Sequence, residues 1–370
     1  MRIVSVVGTR PQLIKSAALW PALRARHEEI LVDTGQHWDE PMAGAFFAEL
    51  GLPRPDHSLG VGGGTAAEQI GRMVPAIAAV LARERPDAVL VHGDTNSTLA
   101  AALAAMTCAV PVAHVEAGLR SFDRRMPEET NRILTDHVAR WLFAPTPAAV
   151  ANLAAEGVTA GVDQVGDVMQ DLAARVAPSL RDPAVLVPIA ERLGVGLSPG
   201  SYLFATVHRA ENRTPEAIAG WLALLAAAGR PDRPVILALH PGTRQAVEAA
   251  GIKPAPPVIV VAPQPYASTL ALQLHAAAVL TDSGGVQREA SWLGVPCLVL
   301  RSSTEWVEAV TASNGSMLVI GTDRRAAIEA LDRLAPAARV EALARERAAS
   351  LELSPAGATD RISEILGAAG

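Results

Sequence analysis

The stretch AVLVHGDTNSTLAAALAAMTCAVPVAHVEAGLR, residues 88–120, decides the fold. Ala88 to His92 is a short apolar run, Ser97 to Met106 an alanine-rich helical segment, and Pro111 to Val115 a second apolar run. Continuous apolar strands separated by helices indicate a parallel sheet covered on both faces. Upstream, Ile3 to Val7 and Ile30 to Asp33 read as strands flanking a helix over Pro11 to Arg26, with Pro11 in its first turn. Downstream, a helix over Glu128 to Ala139 leads to a strand at Trp141 to Ala144. Gly60 to Thr65 is glycine-rich, but it lacks the preceding strand and spacing of a dinucleotide fingerprint and reads as a flexible turn.

The pattern restarts near Gly166, after which turn-forming residues mark 178–188 and 194–200. Leu203 to Val207, Val235 to Leu239, Val258 to Val261, Ala278 to Thr281, Pro296 to Leu300 and Ser316 to Ile320 form the second strand series. Arg324 to Leu366 is helical in pattern, interrupted at Pro336 and Pro355. The expected fold is therefore α/β: two Rossmann-like doubly wound domains facing a cleft. No sequence repeat relates the two halves.

The chain has 370 residues, long enough for two domains at roughly 150 residues each. Half of the residues are hydrophobic and 19% charged, which excludes a disordered chain. Alanine strings such as 100–105 supply much of the apolarity and let helices sit close to a sheet. The net charge of -6 argues against a nucleic-acid or anionic-membrane partner, and no apolar run is long enough to span a bilayer. Cys108 and Cys297 stand far apart in apolar strings and read as buried core thiols, so a reducing cytoplasm is the expected compartment. Met1-Arg2 leads straight into a strand, with no signal peptide expected.

Polar residues collect where the strands end, the edge at which open α/β sheets bind ligands. Gly8-Thr9-Arg10-Pro11 follows the first strand, and Lys15 comes one helical turn later. Arg10 and Lys15 suit an anion at a helix N-terminus, or equally a solvated turn. Asp94 after the 88–92 strand is a proton-transfer candidate or a helix cap. Glu116 is a poor cap with small neighbours, which favours the chemical reading. Glu128 opens a helix carrying Arg132, where an acid is often a dipole complement. Three acids converging on one site suit proton transfer. In the second half, His208-Arg209 and His240 with Arg244 repeat the design. Asp282-Ser283-Gly284-Gly285 opens a helix whose glycines let backbone N–H groups approach a phosphate, unless Ser283 is merely a cap. Glu289, one turn on, is placed to accept from a ribose. No metal-ligand cluster stands out.

Together these strings resemble the non-hydrolysing UDP-N-acetylglucosamine 2-epimerases over nearly the whole chain. Gly35-Gln36-His37, His92-Gly93-Asp94-Thr95, His114 to Arg120, Pro127-Glu128-Glu129 with Asn131-Arg132, Gln287 and Thr304-Glu305 complete the match. The resemblance implies the glycosyltransferase-B architecture, with domains at 1–170 and 171–352 and a helix over 353–370 returning to the first domain. It implies a cytoplasmic homodimer acting on a UDP-sugar without cofactor or metal. Asp94, Glu116 and Glu128 become the acid/base candidates, and His208 the group that assists UDP departure. Arg10, Lys15, Arg132, Arg209, His240, Arg244, Ser283, Gly284, Gly285 and Glu289 become substrate-binding candidates. Gln36, His37 and Arg72 match a second, activating UDP-sugar site, although Asp39 stands where that site has a glutamine. Trp306 stands where many bacterial members have an arginine, which leaves open a modified sugar such as a 2,3-diacetamido uronic acid.

Overall fold

The computed structural model describes residues 1–36, 51–313, 315–333 and 355–369. They form two compact units, Met1–Leu172 with Leu353–Gly370, and Ala173–Glu352.

The first unit contains β1 (Arg2–Val7), α1 (Arg10–Arg24), β2 (Glu28–Asp33), β3 (His57–Ser58), α2 (Ala66–Glu84), β4 (Ala88–His92) and α3 (Asn96–Thr107). After these come β5 (Val112–Val115), α4 (Pro127–Val138), β6 (Trp141–Ala144), α5 (Pro147–Ala155) and β7 (Val162–Gln164). The division between units falls within α6 (Val168–Val176). All seven strands are parallel, in the order β3-β2-β1-β4-β5-β6-β7. Strands of period two send Val4 and Val6 to one face, where they meet Met73 and Ile77 of α2 and the alanines of α3. Val7 and Leu31 face the other way, onto Leu13 and Ala17 of α1. Ala100, Ala101, Ala102, Ala104 and Ala105 are all fully buried, so α3 lies as close to the sheet as its backbone permits.

The second unit contains α7 (Leu186–Leu193), β8 (Leu203–Val207), α8 (Pro215–Ala228), β9 (Val235–Leu239), α9 (Pro241–Ala249), β10 (Val258–Val261) and α10 (Tyr266–Leu274). It continues through β11 (Val279–Thr281), α11 (Gly284–Leu293), β12 (Cys297–Val299), α12 (Val307–Ala312), β13 (Met317–Val319) and α13 (Arg324–Arg333). Its six parallel strands run β10-β9-β8-β11-β12-β13. The core gathers around Trp221, whose ring is fully buried and whose Nε1 donates to Asn212 O at 3.0 Å. No described helix is long and apolar enough to cross a membrane.

Several expectations need correction. The helix α2 has no counterpart in the sequence reading, because Gly71 and Pro75 interrupt its interior. It is fixed instead by a capping box between Thr65 and Glu68 and by a buried stripe of Gln69, Met73, Ile77, Val80 and Leu81. Strands β3 and β7 are two and three residues long, too short to show a period. The glycine turn before α2 is tied down, since Arg72 donates to Gly62 O at 3.1 Å and to Gly63 O at 2.6 Å. Cys108 is half-buried at the C-terminal cap of α3, whereas Cys297 is buried.

The last helix, α14 (Ala358–Ala368), packs on α1. Asp171 accepts from the backbone N–H groups of Gly357 and Thr359, both at 2.8 Å, and from Thr359 Oγ1 at 3.0 Å. Ser363 donates to Ala22 O at 2.8 Å. Removing the carboxylate strands three donors at once, each costing about 1–3 kcal/mol where water does not replace it. Asp171→Ala is expected to speed amide hydrogen exchange across 358–368 while β8 and β9 exchange as before. Unchanged protection in that segment would show that the carboxylate is not what holds α14.

Candidate active site

In the first sheet the strand order reverses between β1 and β4, and the polar residues of this unit gather at the carboxyl ends of those strands. Glu116 follows β5 with φ of 74°, a left-handed conformation that costs a residue with a Cβ about 1–3 kcal/mol. Its carboxylate is ion-paired with Lys15 of α1, and both side chains are largely buried. Burial pushes the Glu116 carboxyl up against the pull of Lys15, with Asp167 and Asp94 adding to the rise. Burial opposes the charge on Lys15, but Glu116 more than offsets it and raises the ammonium pKa. Gly93, at φ of 63°, leaves room for this pair: a Cβ there would lie 3.1 Å from Lys15 Nζ and 3.2 Å from Glu116 Oε2. Asp94 pairs with Arg132 of α4.

Behind these groups lies a buried scaffold. His114 donates from Nε2 to Gly93 O and from Nδ1 to Asp136, both at 2.7 Å. Asp136 also accepts from Gly118 N at 3.1 Å and from Arg120 at 2.7 Å. Burial opposes the charge on Asp136, but His114 and Arg120 hold its carboxyl below the usual range. One carboxylate thus ties the loop bearing Asp94 to the loop bearing Glu116. Gln12 adds a second tie, accepting from Gly8 N at 2.9 Å and donating to His92 O at 3.0 Å. The two glutamates of α4 differ: Glu129 is buried, accepting from Ser121 N, Phe122 N and Arg132. Glu128 is half-buried and pairs with no described group.

The second sheet reverses between β8 and β11, and the same edge is again polar. Fully buried Asp282 accepts from His208 N at 3.0 Å, Arg209 N at 2.9 Å and Asn212 Nδ2 at 2.8 Å. That holds the turn after β8 against the start of α11. His208 keeps 41% of its side-chain surface. Partial burial lowers its pKa, Asp282 opposes, and Arg209, Arg213 and Arg301 add to the lowering. The His240 ring lies 6.5 Å from that of His208 and caps α9 through Gly242 N, while Arg244 of the same helix donates to Val261 O at 3.4 Å. Ser283 caps α11, accepting from Val286 N at 3.5 Å, and Gly285 is exposed. A cavity of about 470 Å³ lies beside the end of β10, lined by Arg192, Leu193 and residues 260–265.

A family model described as UDP-N-acetylglucosamine 2-epimerase matches residues 22–367. The chain belongs to the UDP-N-acetylglucosamine 2-epimerase family. A Methanococcus maripaludis protein described as a UDP-N-acetylglucosamine 2-epimerase homolog is 42% identical over 91% of this chain and 93% of its own. The UDP-2,3-diacetamido-2,3-dideoxy-D-glucuronate 2-epimerase of Pseudomonas aeruginosa is 44% identical over 89% of this chain and 91% of its own. The crystal structure of Methanocaldococcus jannaschii UDP-GlcNAc 2-epimerase with UDP-GlcNAc and UDP is similar at a TM-score of 0.87 and 35% identity, over all of both chains.

Several candidates in this epimerase fold already have protein partners. Arg209 donates to Glu305 at 3.2 Å, and Arg301 holds the other oxygen at 2.6 Å. Glu289 is buried and accepts from Gln273 at 2.6 Å. Gly284 is needed at least for packing, because a Cβ there would strike Glu305 at 2.3 Å. Arg10 is exposed at the first residue of α1. Gln36 is buried and accepts from Ser97 N and Oγ, while Arg72 is exposed on the glycine turn. Gly62 of that turn abuts Gly35 O, which brings the two neighbourhoods together; His37 and Asp39 lie outside the described residues. The sequence reading did not single out Gln12 or Asp136, and it quoted Asp282 in its motif without giving it a role. A run of donors without an acid nearby in sequence is the signal each carries, and it becomes legible only once the turn is known.

His92 supplies a pH test of this scaffold. It is fully buried and neither ring nitrogen has a described partner. Burial pushes its pKa down to about 3, and Lys15 and His114 add to the fall. The unfolded chain binds this proton near pH 6.5, so His92 costs the fold nothing above that pH and an increasing amount as pH falls toward 3. Between pH 7 and pH 5 the loss is about 2 kcal/mol. Urea unfolding at the two pH values should show it, and His92→Gln should flatten the dependence by that amount. An identical slope in the variant would mean that the imidazole is protonated in the fold.

Proposed function

We propose that this protein is a non-hydrolysing UDP-N-acetylglucosamine 2-epimerase, interconverting UDP-N-acetylglucosamine and UDP-N-acetylmannosamine. The observation that carries this reading is the buried Glu116–Lys15 pair beside Asp94 and Arg132, at the switch point of a sheet whose family acts on such nucleotides. In the forward direction a carboxylate takes the proton from C2 of the sugar. The C–H electrons form the C1=C2 bond, and the C1–O bond breaks with its pair leaving on UDP. The intermediate is 2-acetamidoglucal. A proton returned to the opposite face of C2, with UDP re-adding at C1, inverts C2 and balances without any oxidant. Glu116, Asp94 and Glu128 are the proton carriers in this scheme. The upward shift of Glu116 suits a group that must both accept and return a proton.

The second unit takes the nucleotide. Backbone N–H groups at the N-terminus of α11, with Ser283, Gly284 and Gly285, hold the diphosphate, and a helix N-terminus favours that charge. His208, largely uncharged in the free protein, gains its proton as the diphosphate arrives and supports the leaving group. Arg209, His240 and Arg244 complete the polar lining of this unit, and Arg10 and Lys15 are the cations of the first. The cavity at β10 lies three strands from β11, about 14 Å at ordinary strand spacing, which suits an extended nucleotide with its base in that cavity. A second reading, epimerisation of a 2,3-diacetamido uronic acid sugar on UDP, is favoured by the 44% identity of the Pseudomonas protein and by Trp306 in place of an arginine.

Incubation with UDP-N-acetylglucosamine in deuterated water, followed by proton and phosphorus NMR, tests the reading. Deuterium at C2 of both epimers is expected, with only traces of free UDP. Stoichiometric UDP and free N-acetylmannosamine would make the enzyme hydrolysing. No deuterium at C2 of either epimer, with deuterium entering C2 in a parallel incubation with the UDP-linked diacetamido uronate, would select the second reading. Glu116→Gln and His208→Ala should each lower kcat at least 100-fold while circular dichroism shows the fold intact, and near-normal turnover would remove that residue from the mechanism.

A further inference from the structure

The loop from Glu116 to Met126, between β5 and α4, carries one side chain that the fold does not use. Phe122 is 78% exposed, the most exposed large apolar residue among those described. A lone exposed phenylalanine is ordinary by itself. This one also stands in the left-handed region, at φ of 59°, where a bulky residue is an outlier. Among the described residues only four other than glycine do so. Arg85 and Ala109 follow the ends of α2 and α3, a common way to finish a helix. The other two, Glu116 and Phe122, belong to this one loop, and strain of that kind gathers where a ligand is handled.

Buried groups enforce the strained conformation. The Glu129 carboxylate accepts from Ser121 N and Phe122 N, both at 2.9 Å, and from Ser121 Oγ at 2.8 Å. Asp123 accepts from Arg125 N at 3.0 Å and pairs with its guanidinium, and Met126 N closes the turn on Asp123 O at 3.0 Å. The backbone is thus fixed on both sides of Phe122 while the ring stands in water. Glu129 also connects this loop to the site, because it holds Arg132 at 3.0 Å and Arg132 pairs with Asp94. Two side chains, Glu129 and Arg132, therefore join Phe122 N to the Asp94 carboxylate. What the ring can recognise follows from its chemistry. It offers an apolar face and no hydrogen bond, so it reads neither a diphosphate nor a hydroxyl. On the proposed substrate the apolar element beside the reacting carbon is the methyl of the 2-acetamido group.

We propose that Phe122 is a specificity-determining residue whose ring leaves water to pack on the 2-acetamido group of the bound sugar. This rests on the UDP-sugar reading, and the experiment separates the two. Phe122→Gly removes the ring and suits the left-handed backbone, so the variant should melt no lower than the wild type. Its kcat/KM for UDP-N-acetylglucosamine should fall about tenfold or more, the low end of what burying a phenylalanine ring supplies. Its Kd for UDP, by calorimetry, should stay at the wild-type value. Phe122→Tyr keeps the ring and should retain most of the wild-type kcat/KM. A glycine variant that melts lower would put the ring in the fold, and one that sediments at a different mass would put it between two copies of the chain; either overturns the proposal. So does an unchanged kcat/KM, a Kd for UDP weakened as much as kcat/KM, or a tyrosine variant as impaired as the glycine one. In each of these cases wild-type turnover leaves the function standing. A wild type that neither binds UDP nor exchanges the C2 proton of UDP-N-acetylglucosamine overturns the function and the proposal together.

Discussion

Each sheet reverses its winding once, between β1 and β4 in one unit and between β8 and β11 in the other. Everything polar in the site follows from that constraint. On either side of a reversal the connections leave for opposite faces, so nothing crosses the carboxyl ends of the two strands and their backbone groups stay open. A loop that starts there must find its partners locally. Gly93 and Glu116 do so in left-handed conformations, and the turn after β8 does so by directing its N–H groups at Asp282.

Those loops are stabilised by charges placed deep in the protein. Asp136, Glu129, Asp282 and Glu305 are each almost fully buried, and each serves two or more donors. Buried ion pairs are weak evidence for stability, because desolvation consumes most of the attraction. Their effect is geometric. Removing one partner would strand the other, so the arrangement tolerates few alternatives and the acids facing the site are held in one place. That accounts for the contrast between Glu128 and Glu129, which are adjacent in sequence and differ in role. The Glu129 carboxylate orders the 121–122 backbone, and that of Glu128 is left available.

The architecture was legible because most of its strands are continuous apolar runs, and the strand-end clusters because polar residues follow those runs at once. Ala88 to His92 and Leu203 to Val207 each read directly as strands with chemistry after them. Features made by tertiary contact were not legible. The capping box that starts α2 outweighs Gly71 and Pro75, a balance that helix periodicity does not express. Gly284 invited a reading about phosphate, and the close approach of Glu305 shows that packing alone demands it. Arg209 and Glu289 also have protein partners that the sequence does not show, because Glu305 and Gln273 are 96 and 16 residues away in the chain. The two sheets share one strand order without any visible sequence repeat, as expected when winding depends on hydrophobic pattern and connection length and not on particular side chains.

A net charge of -6 stands against the proposed diphosphate ligand, and the local arrangement resolves it. In the second unit Arg209, Arg213 and Arg301 surround His208 strongly enough to add to the lowering of its pKa. In the first unit the cations are already matched, Lys15 by Glu116 and Arg132 by Asp94. Arg209 and Arg301 are matched in turn by Glu305, so the two switch points differ in which groups face the site and not in sign. In the second unit a histidine among arginines suits the proposed anionic leaving group. In the first, a buried carboxylate suits the proposed carbon acid, because a carboxylate whose charge is opposed by burial has more to gain from taking a proton than one bathed in water. Both are built on the same strand order, and the difference between them lies in the few residues that follow each strand.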